Sequence, residues 1–225
     1  MSSEGTKQSR RCVPRALNCR GGRPMPALTC GLAWWALATL SGCASSSSTP
    51  ERNGPCPRGT VHVEAPSFSV CMDFYEFPNG VRRTPDTSMT WAEANAACND
   101  RGKRLCTVDE LSWACAGPAN SRFPYGDELR DGVCNTATDE TPNPARPVLE
   151  HKKCKSKQFV WNLAGNVEEW AADAETPSGM RVAFGGSSAL PPESSTCSSV
   201  REVNPTTRSS HIGFRCCVDP LPVKK

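Results

Sequence analysis

The chain has 225 residues, 26 basic and 23 acidic side chains, and 14 cysteines. At 37% hydrophobic and 22% charged it is neither a fibre nor a wholly disordered chain. One apolar stretch alone approaches membrane length, which excludes a multi-span membrane protein, and the formal charge of +3 belongs to the N-terminal segment.

Residues 1–24 carry Lys7, Arg10, Arg11, Arg15, Arg20 and Arg23 against Glu4. The uncharged segment Ala27–Leu40 follows. As a helix it would span about 21 Å, short of the roughly 30 Å hydrocarbon core. A basic region before a short apolar one predicts a secretory signal peptide over residues 1–42. Leu40-Ser41-Gly42-Cys43 is similar to the lipobox of bacterial lipoproteins. Cys43 is therefore expected to carry lipid, with the membrane as its partner. Ala44 rather than Asp after that cysteine favours the outer membrane of the bacterial cell envelope. Residues 43–54 read as the lipidated cysteine and a Ser-rich linker, and residues 55–222 as one folded domain. Loss of the leader takes the basic and acidic counts from 26 and 23 to 20 and 22. The mature chain is then near −2, and nucleic-acid binding loses its electrostatic basis.

Within the domain, Val70–Phe77 reads as a strand closed by the turn signal Pro78-Asn79-Gly80. Thr90-Trp91-Ala92-Glu93 is a capping box, and its helix runs through Cys98 to a stop at Gly102. Trp91, Ala94 and Cys98 share one face of that helix. Thr107-Val108-Asp109-Glu110 is a second capping box, opening a helix with Leu111, Ala114 and Cys115 that ends at Gly117-Pro118. Further strands are expected at Gln158–Asn162, Arg181–Phe184 and Phe214–Val218, among loops rich in Gly, Pro, Asn and Ser. The fold class is therefore α+β with little regular secondary structure. Trp91, Trp113, Trp161 and Trp170 read as core, with a lectin-like aromatic platform for sugar as the alternative. Arg82, Arg83 and the run Lys152–Lys157 read as solvated faces.

Cys12, Cys19 and Cys30 leave with the leader. Ten cysteines remain beyond Cys43: Cys56, Cys71, Cys98, Cys106, Cys115, Cys134, Cys154, Cys197, Cys216 and Cys217. An even number in an exported chain predicts disulfides, although spacing alone cannot choose their pairing. Zinc is the rival, but there is no Cys-x-x-Cys pair, and His62, His151 and His211 are not at ligand spacing.

Six motifs appear in order across most of residues 55–220. They are Asp73-Phe74-Tyr75-Glu76-Phe77-Pro78-Asn79, Thr90-Trp91-x-x-Ala94, Gly102-Lys103-Arg104-Leu105-Cys106-Thr107-x-x-Glu110, Gly165-Asn166-Val167-Glu168-Glu169-Trp170, Gly185-Gly186-Ser187 and Gly213-Phe214-Arg215-Cys216. Together they resemble the sulfatase-modifying-factor family, which includes the formylglycine-generating enzymes. The resemblance implies the formylglycine-generating-enzyme fold, related to C-type lectin-like domains. It also implies two bridges, Cys98–Cys216 and Cys115–Cys197. Cys56–Cys71 and Cys134–Cys154 then read as local bridges, which leaves Cys106–Cys217. Adjacent strand residues point to opposite faces, so Cys216 and Cys217 can serve different partners.

Enzymes of this family oxidise a substrate cysteine using oxygen and copper, held by two thiolates shortly after Gly-Gly-Ser. Thiolates are soft ligands that select Cu(I). Here residues 188–196 contain no cysteine, and none occurs between Cys154 and Cys197. Copper is therefore not expected, and no catalytic residue is assigned. The resemblance leaves a non-catalytic domain acting in binding or scaffolding, with an envelope protein or glycan as partner. The alternative is a formylglycine-generating-type oxidoreductase that modifies a protein or peptide cysteine through a divergent site. The same resemblance implies calcium at Asn162, Gly165, Val167 and Glu169, in a loop of hard oxygen donors. The competing reading of Glu169 is an ion-pair partner of Arg215 in a calcium-free loop.

Overall fold

The computed structural model describes residues 54–138, 141–173 and 176–222. The predicted signal peptide, Cys43 and most of the linker lie outside the described residues. No helix among the described residues is long and apolar enough to cross a membrane.

Two four-stranded sheets carry the domain. The first has the order β1-β2-β8-β3, with β1 Thr60–Glu64, β2 Ser69–Asp73, β3 Arg104–Leu105 and β8 Cys216–Val218. The second has the order β6-β5-β4-β7, with β4 Glu168–Trp170, β5 Arg181–Phe184, β6 Val200–Val203 and β7 Ile212–Gly213. All pairs are antiparallel except β4 with β7. The chain leaves the second sheet at Gly213 and enters the first at Cys216, so Phe214 and Arg215 form the crossing.

The two helices are α1, Trp91–Asn99, and α2, Val108–Ala116. Both capping boxes form. Thr90 Oγ1 accepts from the Glu93 amide at 3.3 Å, and Glu93 Oε2 accepts from the Thr90 amide at 2.9 Å. Thr107 and Glu110 repeat the exchange at 3.2 and 2.9 Å. Each box satisfies amides that the first helical turn leaves without partners. Helix α1 buries Ala94 and Cys98; α2 buries Leu111, Ala114 and Cys115.

The core has two parts. Val63, Val70, Met72, Leu111, Leu163 and Phe184 cluster with Cys217. Phe77, Leu105, Trp170, Ile212 and Phe214 cluster with Cys216. The period-2 geometry of β8 thus sends its two adjacent cysteines into different clusters. Five disulfides form: Cys56–Cys71, Cys98–Cys216, Cys106–Cys217, Cys115–Cys197 and Cys134–Cys154. Their Cα separations of 4.8 to 5.5 Å suit the bond. The pairing is the one the resemblance and the two local bridges implied.

Strand expectations fared unevenly. Arg181–Phe184 is β5 as expected, while the expected strands at Val70–Phe77 and Phe214–Val218 shorten to β2 and β8. Gln158–Asn162 is not a strand. Phe159 and Asn162 both adopt positive φ, at 63° and 56°, which breaks an extended run. One bridge, Lys155 to Trp161, is all that remains of it.

Candidate functional site

The Asn162–Glu169 loop sits beneath the crossing between the sheets. Asn162, Gly165 and Asn166 all adopt left-handed φ, at 56°, 77° and 62°. Gly165 has no alternative there, because a Cβ would stand 2.6 Å from the Asn135 carbonyl oxygen. This curled backbone delivers the Asn162 and Asn166 amides to one buried carboxylate. Glu76 accepts from Asn166 Nδ2 at 2.7 Å and from Asn162 Nδ2 at 3.3 Å.

Arg215 is the second element of the site. Its Nε and Nη2 donate to the two oxygens of Glu169 at 2.7 and 2.5 Å. Its other donors reach the backbone oxygens of Asp73, Phe74 and Trp161 at 3.2, 3.3 and 2.8 Å. One fully buried guanidinium therefore ties β4 of the second sheet to the end of β2 in the first. Asp73, next to it, pairs with Lys103 and accepts from Asn79 Nδ2 at 2.9 Å.

This network holds three carboxylates, Asp73, Glu76 and Glu169, against two cations, Lys103 and Arg215. Burial pushes Glu76 up to about 7; Arg215 pulls it down and Glu169 pushes it further up. Burial also raises Asp73, against the pull of Lys103 and Arg215. It raises Glu169 against the pull of Arg215. For Arg215, burial works against the charge, and Glu169, Glu76 and Asp73 outweigh it, raising its hold on the proton.

For a hard cation the predicted ligands make a mixed set. Asn162 Oδ1 is buried without a partner, as is Asp73 Oδ2, and either orphan is an acceptor that a cation would satisfy. The surplus negative charge points the same way. Glu169 does not: both its oxygens are engaged by Arg215, the ion pair of the competing sequence reading. Of the four predicted positions, Asn162 alone presents an open side-chain oxygen. Gly165 and Val167 would act through backbone carbonyls.

The segment after Gly-Gly-Ser packs beside this loop. Gly186, at φ 71°, lies so close to Ser195 that a Cβ would meet its Cα at 2.7 Å. Ser188 N donates to the Asn166 carbonyl at 3.0 Å, and Ser188 O accepts from Asn143 N at 2.8 Å. Ser187 and Ser188 are both buried, and Ser188 Oγ lies 3.3 Å from His211 Nδ1. Pro192 then forms part of the wall of a cleft of about 590 Å³, with Asp131, Asn135, Asn143, Arg146 and His151. Where the family places its copper thiolates, this segment offers hydroxyls and prolines. Cys197 is bonded to Cys115, and every cysteine among the described residues is in a disulfide. The grouping of Cys106, Cys217 and Glu110 is no soft-metal site, since its sulfurs are bonded to each other and Glu110 is paired with Arg104 at 2.6 Å.

Sequence reasoning missed the roles of Glu76, Asp73 and Lys103, although all three stand in quoted motifs. No periodicity marks a buried carboxylate, and the fold alone brings Glu76 to Asn166.

Comparison with known proteins bears on the family and the fold. The family described as "Sulfatase-modifying factor enzyme 1-like domain" matches residues 73–220. A formylglycine-generating enzyme of Streptomyces coelicolor is 31% identical over 170 residues, covering 60% of this chain and 52% of that protein. The "Inactive C-alpha-formylglycine-generating enzyme 2" of Mus musculus is 28% identical over 149 residues, covering 59% and 48%. The chain spans about half the length of these curated relatives. Among solved structures, Treponema denticola variable protein 1 superposes with a TM-score of 0.54 at 18% identity, covering 68% of this chain and 85% of that one. CarF superposes with a TM-score of 0.50 at 21% identity, covering 72% and 74%. Those two likenesses show the fold alone. By the match over residues 73–220, the chain belongs to the sulfatase-modifying factor enzyme 1-like domain family.

Proposed function

We propose that this chain is a cell-envelope lipoprotein whose sulfatase-modifying-factor domain binds or scaffolds and does not oxidise. The observation that carries this reading is the absence of any cysteine between Ser187 and Cys197. Copper chemistry of the family's kind needs two soft thiolates there, and neutral hydroxyls do not replace them. Disulfide bonding of Cys197, and of Cys134 in the wall of the adjoining cleft, supports the same reading, because neither sulfur is available as a thiolate. The mouse relative named as inactive lends it further support.

The test is direct. The full chain, with its disulfides intact, is incubated with copper, oxygen and a peptide carrying a sulfatase-type cysteine. Mass spectrometry with an aldehyde-trapping probe is expected to return unmodified peptide. Trapped aldehyde would instead establish a formylglycine-generating-type oxidoreductase working through a divergent site.

Two further parts of this reading carry their own tests. Lipid on Cys43 predicts incorporation of labelled fatty acid, lost in Cys43→Ser, and outer-membrane fractionation. Calcium at Asn162, Gly165, Val167 and Glu169 is supported by the orphaned Asn162 oxygen and the surplus buried negative charge, and requires Glu169 to share its oxygens with Arg215. There it would neutralise charge and brace the loop, with no catalytic step assigned to it.

A further inference from the structure

The run Lys152-Lys153-Cys154-Lys155-Ser156-Lys157 reads from the sequence as a solvated face. In the structure it is half of a built surface. No acidic residue occurs from 151 to 167, and none of the four lysines makes a salt bridge among the described residues. Lys152, Lys153 and Lys157 are exposed. The other half is aromatic. Phe159 is 56% exposed, the highest value among the large apolar side chains of the described residues. Its φ of 63° is a conformation that a bulky side chain rarely adopts. Strain of this kind persists only where the surroundings impose it, and it concentrates at binding sites. Trp161, which shares the Lys155 ammonium with Phe159, is half-buried and pairs with the half-buried Tyr75 at a ring-centroid distance of 5.2 Å.

The surface is held rigidly. The Cys134–Cys154 disulfide anchors the middle of the lysine run. Ser156 N donates to the Val160 carbonyl at 2.9 Å, and Phe159 N to the Ser156 carbonyl at 3.1 Å. Trp161 Nε1 donates to the Lys152 carbonyl at 3.2 Å. The Lys155 ammonium lies 4.4 Å from the Phe159 ring centroid and 5.2 Å from that of Trp161, so charge and rings share one edge.

We propose that this surface binds an acidic polysaccharide. Pyranose C–H groups pack on the part of the exposed Phe159 ring that Lys155 does not cover, while carboxylate or sulfate groups on the same sugar pair with the flanking lysines. Five disulfides among the described residues fit an oxidising compartment, apart from the nucleic acids of the cytosol. A membrane surface fits less well, because Lys155 sits over the rings that would have to insert. The proposal deepens the binding reading above and names its ligand class.

The experiment titrates the full oxidised chain with oligogalacturonate, following Trp fluorescence. Controls are polyglutamate, oligo-dT and vesicles of phosphatidylglycerol and phosphatidylcholine. Oligogalacturonate is expected to bind tightest, with affinity falling as salt rises from about 0.05 to about 0.5 M. Phe159→Asn suits a left-handed backbone and is expected to weaken binding about tenfold with Tm unchanged. Lys152→Gln with Lys153→Gln is expected to weaken it further and flatten the salt dependence. Equal or tighter binding of polyglutamate, oligo-dT or vesicles would overturn the proposal, as would undiminished binding by Phe159→Asn. The peptide-oxidation assay separates the two claims. Failure of glycan binding without aldehyde refutes this surface alone, whereas aldehyde refutes the non-catalytic reading whatever the glycan does.

Discussion

The two sheets are held by different forces. The first sheet is stapled: Cys71, Cys216 and Cys217 lie in its strands, and three of the five disulfides end there. The strands of the second sheet contain no cysteine and rely on ion pairs alone, Glu169 with Arg215 and Glu168 with Arg201, whereas the first sheet adds Asp73–Lys103 and Arg104–Glu110 to its bridges. Reductant should therefore act on the first sheet and not on the second. Arg215 belongs to both, since it lies at the crossing and is followed at once by two bridged cysteines.

The largest effect is expected from the staple. Cys98–Cys216 closes a loop with a sequence separation of 118. Cys106–Cys217 closes nearly the same loop, so either bridge alone restrains the unfolded chain and both must be opened. Replacing all four cysteines by Ala is expected to cost on the order of 5 kcal/mol, chiefly by releasing the unfolded chain. Chemical denaturation of the quadruple variant checks this, and an unchanged midpoint would show that the sheet does not depend on its bridges. Next is Glu169→Gln, which leaves the Arg215 guanidinium buried and under-compensated. Breaking a buried pair from one side costs about 3–5 kcal/mol. Reductant should not mimic the salt or pH response of this variant, because the affected contacts are not covalent.

Glu76 tests whether the network is charge-balanced. It holds its proton to about pH 7 when folded, against an ordinary value of 4.5, so the folded state binds the extra proton between those limits. Stability of chelator-treated protein is expected to fall as pH rises from 4.5 to 7, by on the order of 3 kcal/mol, and then to level off. Burial raises Asp73 and Glu169 in the same sense. Glu76→Gln should remove most of the slope. Calcium provides the contrast: a dication beside Glu76 favours the carboxylate, so excess calcium should raise Tm at pH 8 and flatten the slope. No calcium effect on Tm would remove the cation from Asn162, Gly165, Val167 and Glu169.

The sequence disclosed the staples more readily than the charges. Both helices were legible because a capping box is a local signal, two side chains three positions apart. The disulfide pairs were legible through the ordered motifs, which fix which cysteine stands on which element. The Glu169–Arg215 pair surfaced only as a competing reading, because it joins residues 46 positions apart. Glu76 was invisible, being an ordinary acid within a motif until Asn162 and Asn166 curl back over it. Strands β1, β3, β4, β6 and β7 were not expected; β3 and β7 have two residues each and β4 three, too few for alternation to show. The exposure of Phe159 follows from a backbone angle, and no pattern in Lys155–Trp161 announces it.

The smallest effect is the sharpest test of the contrast, since it compares two arginine–glutamate pairs in one sheet. Arg201 donates to both oxygens of Glu168, at 2.9 and 2.5 Å, much as Arg215 does to Glu169. The geometry is alike and the surroundings differ: the Arg201 side chain is 51% exposed, that of Arg215 0%. Water and salt already solvate the outer guanidinium, so its net contribution is far smaller than its hydrogen bonds suggest. Arg201→Ala is expected to cost about 1–2 kcal/mol, less than Glu169→Gln because the gap left by the exposed guanidinium admits water to the Glu168 oxygens. Raising salt should erase part of the difference between wild type and Arg201→Ala while leaving the cost of Glu169→Gln intact. If both variants responded to salt alike, burial would not be what separates the two pairs, and the second sheet would be held at its rim as firmly as at its centre.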